Sequence, residues 1–176
     1  MFERILVAID GAESSKEILK TACLLADGCD AKLGIIYVTD PRKMNDDLVH
    51  GAEVEGIIEG SSYSHTFDSF DYGGGRERLS EELQHASATA RIAEQIGQNV
   101  VAKAEAFSKQ QNVKAVKTFV RSGDVAEAIL SVARQADANL IVMGHERRSI
   151  IGALIHRSVA EAVNDKAKCP CLIFSS

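Results

Sequence analysis

The sequence predicts an α/β fold: a doubly wound, five-stranded parallel sheet in a single domain of 176 residues. Three observations carry this. Short runs of consecutive apolar, often β-branched residues read as strands buried on both faces. The segments between them place apolar residues at the 3.6-residue spacing of amphipathic helices. The two kinds alternate, and right-handed crossovers turn such alternation into a parallel sheet covered on both sides. A composition of 45% apolar and 26% charged residues suits a chain that buries its own core and excludes disordered, collagen-like and disulfide-framework classes.

Ile5-Leu6-Val7-Ala8-Ile9 is too short for a helix and unbroken by polar residues, so it reads as a buried strand that ends at Asp10-Gly11. Ser14 or Ser15 then caps a helix whose Ile18, Leu19, Ala22, Leu25 and Ala26 share one face, running to Gly28. Leu33, Ile35, Ile36 and Val38 form a second strand, closed by Asp40-Pro41 because proline lacks a ladder donor. Periodicity fails from Thr39 to Gly75, a stretch longer than an ordinary connection, which marks an insertion or lid at about 40–75. From Arg76 to about Gln111, residues such as Leu83, Ala90, Ala93, Ile96, Val100, Ala104 and Phe107 keep helical period, with Gly97 a weak point in the middle. Val113, Ala115 and Lys117 alternate into a third strand at Phe119-Val120, and Gly123-Asp124 opens a helix through Ala126, Ile129, Leu130 and Ala133. Leu140–Met143 is a fourth strand. Ile150–Val163 reads as a helix with Ile151, Leu154, Ile155, Ala162 and Val163 inward, and Cys171–Phe174 as the last strand.

A formal charge of −5 from 20 Lys+Arg and 25 Asp+Glu disfavours general nucleic-acid binding. No apolar run reaches the ~18 residues of a membrane span. Glu3, Arg4 and Asp10 leave no room for the apolar core of a signal peptide, so a cytoplasmic location is expected. Cys23, Cys29, Cys169 and Cys171 contain no C-x-x-C pair and read as reduced thiols.

A doubly wound sheet binds ligands at the carboxyl ends of its strands, where the order reverses, and Asp10 and Gly144 stand at two such ends. Four segments in combination resemble the universal stress protein family: Arg4–Gly11, Gly123–Ile129, Ala138–His145 and Cys169–Ile173. The resemblance covers roughly residues 1–40 and 79–176. It implies an adenine nucleotide alpha hydrolase-like sheet of order 3-2-1-4-5 and a homodimer through the last strand, whose Cys171–Phe174 edge would otherwise stand exposed and apolar. It also implies a nucleotide site from Ala8, Asp10, Val38, Met143, Gly144, Arg147, Arg157 and Ser158.

ATP-binding members carry Gly-x-x-Gly, nine residues, then Gly-Ser or Gly-Thr. Here the window starts at Gly144, but Arg147 and Arg157 replace two glycines, Glu146 adds an acid, and Ser158 keeps the hydroxyl. Glycine lets backbone N–H groups approach phosphate oxygens; arginine lacks that freedom but offers a planar fork to phosphate. Gly144-His145 followed by non-glycine residues looks more like the family branch that does not bind ATP, whose members are dimeric stress-response proteins. The expected function is therefore a non-catalytic, regulatory stress-response homodimer that requires no cofactor and binds ATP weakly or not at all. The alternative is an ATP or AMP sensor in which Arg147 and Arg157 substitute for the motif glycines.

Other features carry bland readings beside sharp ones. Asp10 serves either a nucleoside or the cap of the following helix. A metal site begun by Cys169 and Cys171 with His145 or His156 lacks the matched fourth ligand of a structural zinc, so no metal is expected and the thiols read as buried and apolar. Gly73-Gly74-Gly75 lacks a P-loop lysine and reads as a hinge. Tyr63, Phe67, Phe70 and Tyr72 make the insertion either a contact patch for a protein partner or a loop folded on its own domain. No nucleophile–base signature, zinc motif or Walker lysine points to an enzyme.

Overall fold

A computed structural model describes residues 1–39, 75–145 and 158–175. Five parallel strands, β1 (Arg4–Ile9), β2 (Lys32–Thr39), β3 (Val116–Ser122), β4 (Leu140–His145) and β5 (Cys171–Ser175), form one sheet in the order β3-β2-β1-β4-β5. Between them run α1 (Glu13–Cys29), α2 (Gly75–Gln110), α3 (Val125–Gln135) and α4 (Val159–Lys166). The expected fold class and strand order are what is found.

The unbroken apolar runs are explained by burial on both faces. Along β1, Ile5, Val7 and Ile9 pack with α1 and α2, while Leu6 and Ala8 turn to α3 and α4. In β2, Leu33 and Ile35 join the first cluster and Ile36 the second. Each such aliphatic side chain contributes about 1.5–3 kcal/mol on burial, so the central strands hold the three layers together. The amino ends of β1 and β4 are also sewn by Asn139, whose Oδ1 accepts the N–H groups of Glu3 (3.2 Å) and Arg4 (3.1 Å).

Helix boundaries differ from expectation where turn chemistry decides them. Neither Ser14 nor Ser15 caps α1: Gly11 turns the chain at φ 80°, so the helix starts at Glu13 behind Ala12, which makes no side-chain cap. The α1 exit uses Asp30 in the left-handed region (φ 55°), with its N–H on the Ala26 and Asp27 carbonyls. β3 begins at Val116 rather than Val113, because Asn112 at φ 63° still belongs to the turn. At α3 the expected Asp124 cap is present, accepting from the Glu127 N–H at 2.9 Å.

The predicted helix Ile150–Val163 is corrected most. Ser158 is extended (φ −64°, ψ 153°) and a helix starts only after it, with Ala160 and Val163 inward and Ala162 half-buried. Ile151, Leu154 and Ile155 lie outside the described residues. So do residues 40–74, including Tyr63, Phe67, Phe70 and Tyr72; Gly75 is the first residue of α2.

The long α2 crosses the sheet at Gly97, the residue read as its weak point. A Cβ there would lie 2.8 Å from Val120 Cγ1 and 3.0 Å from Tyr37 Cδ1. The glycine lets the helix backbone lie close against side chains of β2 and β3.

Candidate functional site

β1 and β4 are neighbours only over Ile5–Val7 and Leu140–Val142. Beyond that, Ala8 and Ile9 continue on β2, while Met143, Gly144 and His145 continue on β5. The two strands therefore part at their carboxyl ends, which is the switch-point crevice of a doubly wound sheet. A cavity of about 620 Å³ opens there.

Five of the residues expected at a site line it: Ala8, Asp10, Val38, Met143 and Gly144. Ala8, Val38 and Met143 share an apolar wall with Val125 and Ile129 of α3. Gly144 meets α1, since a Cβ on it would lie 2.8 Å from Ile18 Cδ1. Ser158 is next to the lining residue Val159, and Arg147 and Arg157 lie outside the described residues, as do Glu146 and His156.

Asp10 is exposed yet locally bonded. Its Oδ1 accepts the Ala12 N–H at 2.9 Å and the Ser15 hydroxyl, and the Ser15 oxygen accepts the Asp10 N–H at 3.1 Å. Asp10 thus braces the entry to α1 while facing the cavity. Tyr37, absent from the expected set, also lines the crevice. Burial pushes its phenol above the ordinary value, and the Asp10 carboxylate pushes the same way. Ala93 and Ile96 bring α2 into the wall as well. These three were not legible locally, because their place depends on α2 returning across β2; Tyr37 did carry one signal, its position beside Val38 at a strand end.

Among the described lining residues, Asp10 and Glu17 are carboxylates and none is lysine or arginine. At α4 the Ser158 oxygen accepts the Glu161 N–H (3.1 Å) and the Glu161 carboxylate accepts the Ser158 N–H (3.2 Å). This reciprocal capping box occupies donors at a helix N-terminus, the kind of group that otherwise receives an anion.

Cys169 and Cys171 are half-buried rather than fully buried, and burial raises both thiols. Among the described residues no cluster of three His, Cys, Asp or Glu side chains is arranged to hold a metal. Among the same residues no helix is long and apolar enough to cross a membrane.

The universal stress protein family model matches residues 1–56 and 63–175. This chain belongs to that family. The stress response protein NhaX of Bacillus subtilis strain 168 is 29% identical to this universal stress protein over 173 residues, 97% of this chain and 96% of NhaX. Two solved structures share its fold: a universal stress protein in complex with cAMP (TM-score 0.61, 17% identity, 99% of this chain and 97% of that one) and the universal stress protein of Archaeoglobus fulgidus in complex with dAMP (TM-score 0.53, 13% identity, 98% and 97%). At these identities the structural likeness speaks for the fold.

Proposed function

We propose that this universal stress protein is a non-catalytic, regulatory stress-response homodimer of the cytoplasm whose switch-point cavity does not hold ATP tightly. The observation that carries the reading is the capping box of α4. Ser158 is the one hydroxyl retained from the nucleotide motif, and it is engaged with Glu161, whose carboxylate already interacts with the positive end of the helix. A triphosphate arriving there would displace a cap worth about 0.5–2 kcal/mol and meet a like charge. The motif points the same way, with Glu146 added and two glycines replaced by Arg147 and Arg157. The dimer reading rests on β5, a sheet edge without a charged residue over Cys171–Ser175. The aromatic residues of the insertion at 40–75 suit either a contact patch for a protein partner or a loop folded on its own domain.

A calorimetric titration with ATP and magnesium is expected to be flat, and native mass spectrometry of freshly purified protein to show no retained adenine nucleotide. A dissociation constant in the low micromolar range overturns the reading.

The second reading is an ATP or AMP sensor. The volume and apolar wall of the cavity favour it, as do the cAMP and dAMP held by two proteins of this fold. Ala8, Val38 and Met143 would then enclose a base, Asp10 a ribose, and Gly144, Ser158, Arg147 and Arg157 the phosphates, each charge-assisted contact contributing about 1.5–3 kcal/mol. On this reading the parent binds and the Arg147→Ala, Arg157→Ala double variant does not.

A further inference from the structure

A second cavity, of about 400 Å³, opens at the other end of the sheet, between the C-terminal ends of α3 and α4 and the start of β4. Its floor is apolar, with Leu130 and Ile141, and the Cys169 thiol stands half-buried in its wall. Arg134, Lys166 and Lys168 surround it against a single carboxylate, Asp137; Lys166 also pairs with Glu127 at 2.8 Å. Such a concentration of positive charge is notable in a chain whose net charge is −5.

The molecule contains its own contrast. Cys29 is also half-buried, but it stands at the end of α1 between Asp27 and Asp30. Two thiols of similar exposure thus have different charged neighbours: beside Cys29 the Asp30 carboxylate is paired with Lys114 at 2.6 Å, whereas the charged residues lining the groove at Cys169 are mainly cations.

We propose that the groove at Cys169 is a docking site for small disulfides that carry carboxylates, and that Cys169 exchanges with them. The cations hold the carboxylates of the incoming molecule and place its sulfur–sulfur bond at the Cys169 Sγ. Cys169 gives its proton to solvent, and its thiolate attacks one sulfur; the disulfide bond breaks as the new one forms. The other half leaves as a thiolate and takes a proton. Cys169 is oxidised from thiol to mixed disulfide while one sulfur of the small molecule is reduced to a thiol, so the disulfide is itself the oxidant. Burial keeps the resting Cys169 thiol protonated at neutral pH, so exchange depends on retention in the groove and favours anionic over neutral partners.

The test treats the full-length protein with oxidised glutathione and, separately, with uncharged bis(2-hydroxyethyl) disulfide. Each rate is scaled to that of the same reagent with free cysteine. Intact mass and peptide mapping are expected to place the first glutathionyl group on Cys169, several-fold faster on the scaled rate than the neutral reagent, with Cys29 showing no such preference. Arg134→Gln with Lys168→Gln should remove the preference at Cys169 and leave the neutral rate unchanged; Cys171→Ser should leave labelling in place. First labelling at Cys29 or Cys171, equal scaled rates, or a preference that survives loss of both charges overturns the proposal.

Discussion

Tyr37 and Asp10 both line the cavity, and the effect of the carboxylate on the phenol has a measurable consequence. Because burial first, and Asp10 second, favour the protonated phenol, the folded chain keeps the Tyr37 proton at a pH where the unfolded chain has lost it. Stability attributable to Tyr37 is therefore complete below about pH 10 and falls as pH rises beyond it. In a background with Tyr63 and Tyr72 changed to Phe, ultraviolet titration should find the phenol above its ordinary value, and Asp10→Asn should bring it down. A midpoint unmoved by that substitution would show that the carboxylate does not act on the ring. Asp10 was legible in the sequence because it closes an apolar run. Its hydrogen bonds were not, since Ser14 and Ser15 both have capping chemistry and only the turn at Gly11 decides that neither is the cap.

The elements themselves were legible where one period governs a whole segment. β1 and β2 are apolar without alternation because both faces are covered, and α2 keeps its stripe through Gly97. The start of α4 was misplaced because apolar residues continue the helical period on both sides of Ser158. The sequence did hold the corrective signal, the Ser-x-x-Glu spacing of Ser158 and Glu161. Gly97 was read by propensity alone, whereas contact decides it. Gly97→Ala gains roughly 1 kcal/mol of helix propensity. It also forces a methyl against Val120 and Tyr37, and overpacking of that kind costs about 1–3 kcal/mol. The net expectation is a loss of stability in urea unfolding, with an unchanged midpoint counting against a tight crossing.

For the whole molecule, the two sheet edges are finished differently. On β3, Lys117 and Arg121 stand over the Phe119 ring at 5.2 and 5.7 Å from its centre, placing charge on that edge strand. β5 has none, and Leu172 is 38% exposed there. Light scattering is expected to give twice the 19.0 kDa chain mass at micromolar concentration, and Leu172→Lys to shift the population to monomer. A monomeric parent removes the dimer from the proposed function. The sheet order followed from the resemblance and the alternation of elements, because crossover handedness leaves few windings for such a chain. Which residues meet across the cavity did not follow, because α2 reaches it from beyond the insertion.

The parting of β1 and β4 after Val7 and Val142 also bears on how a family of such proteins can diversify. The opening comes from the path of the backbone, where β1 turns to β2 and β4 to β5, and so does not depend on which side chains line it. Chains of this winding can lose one guest and acquire another with no change to their frame. The strand order provides the place, and the side chains that each sequence sets around it decide what is held there.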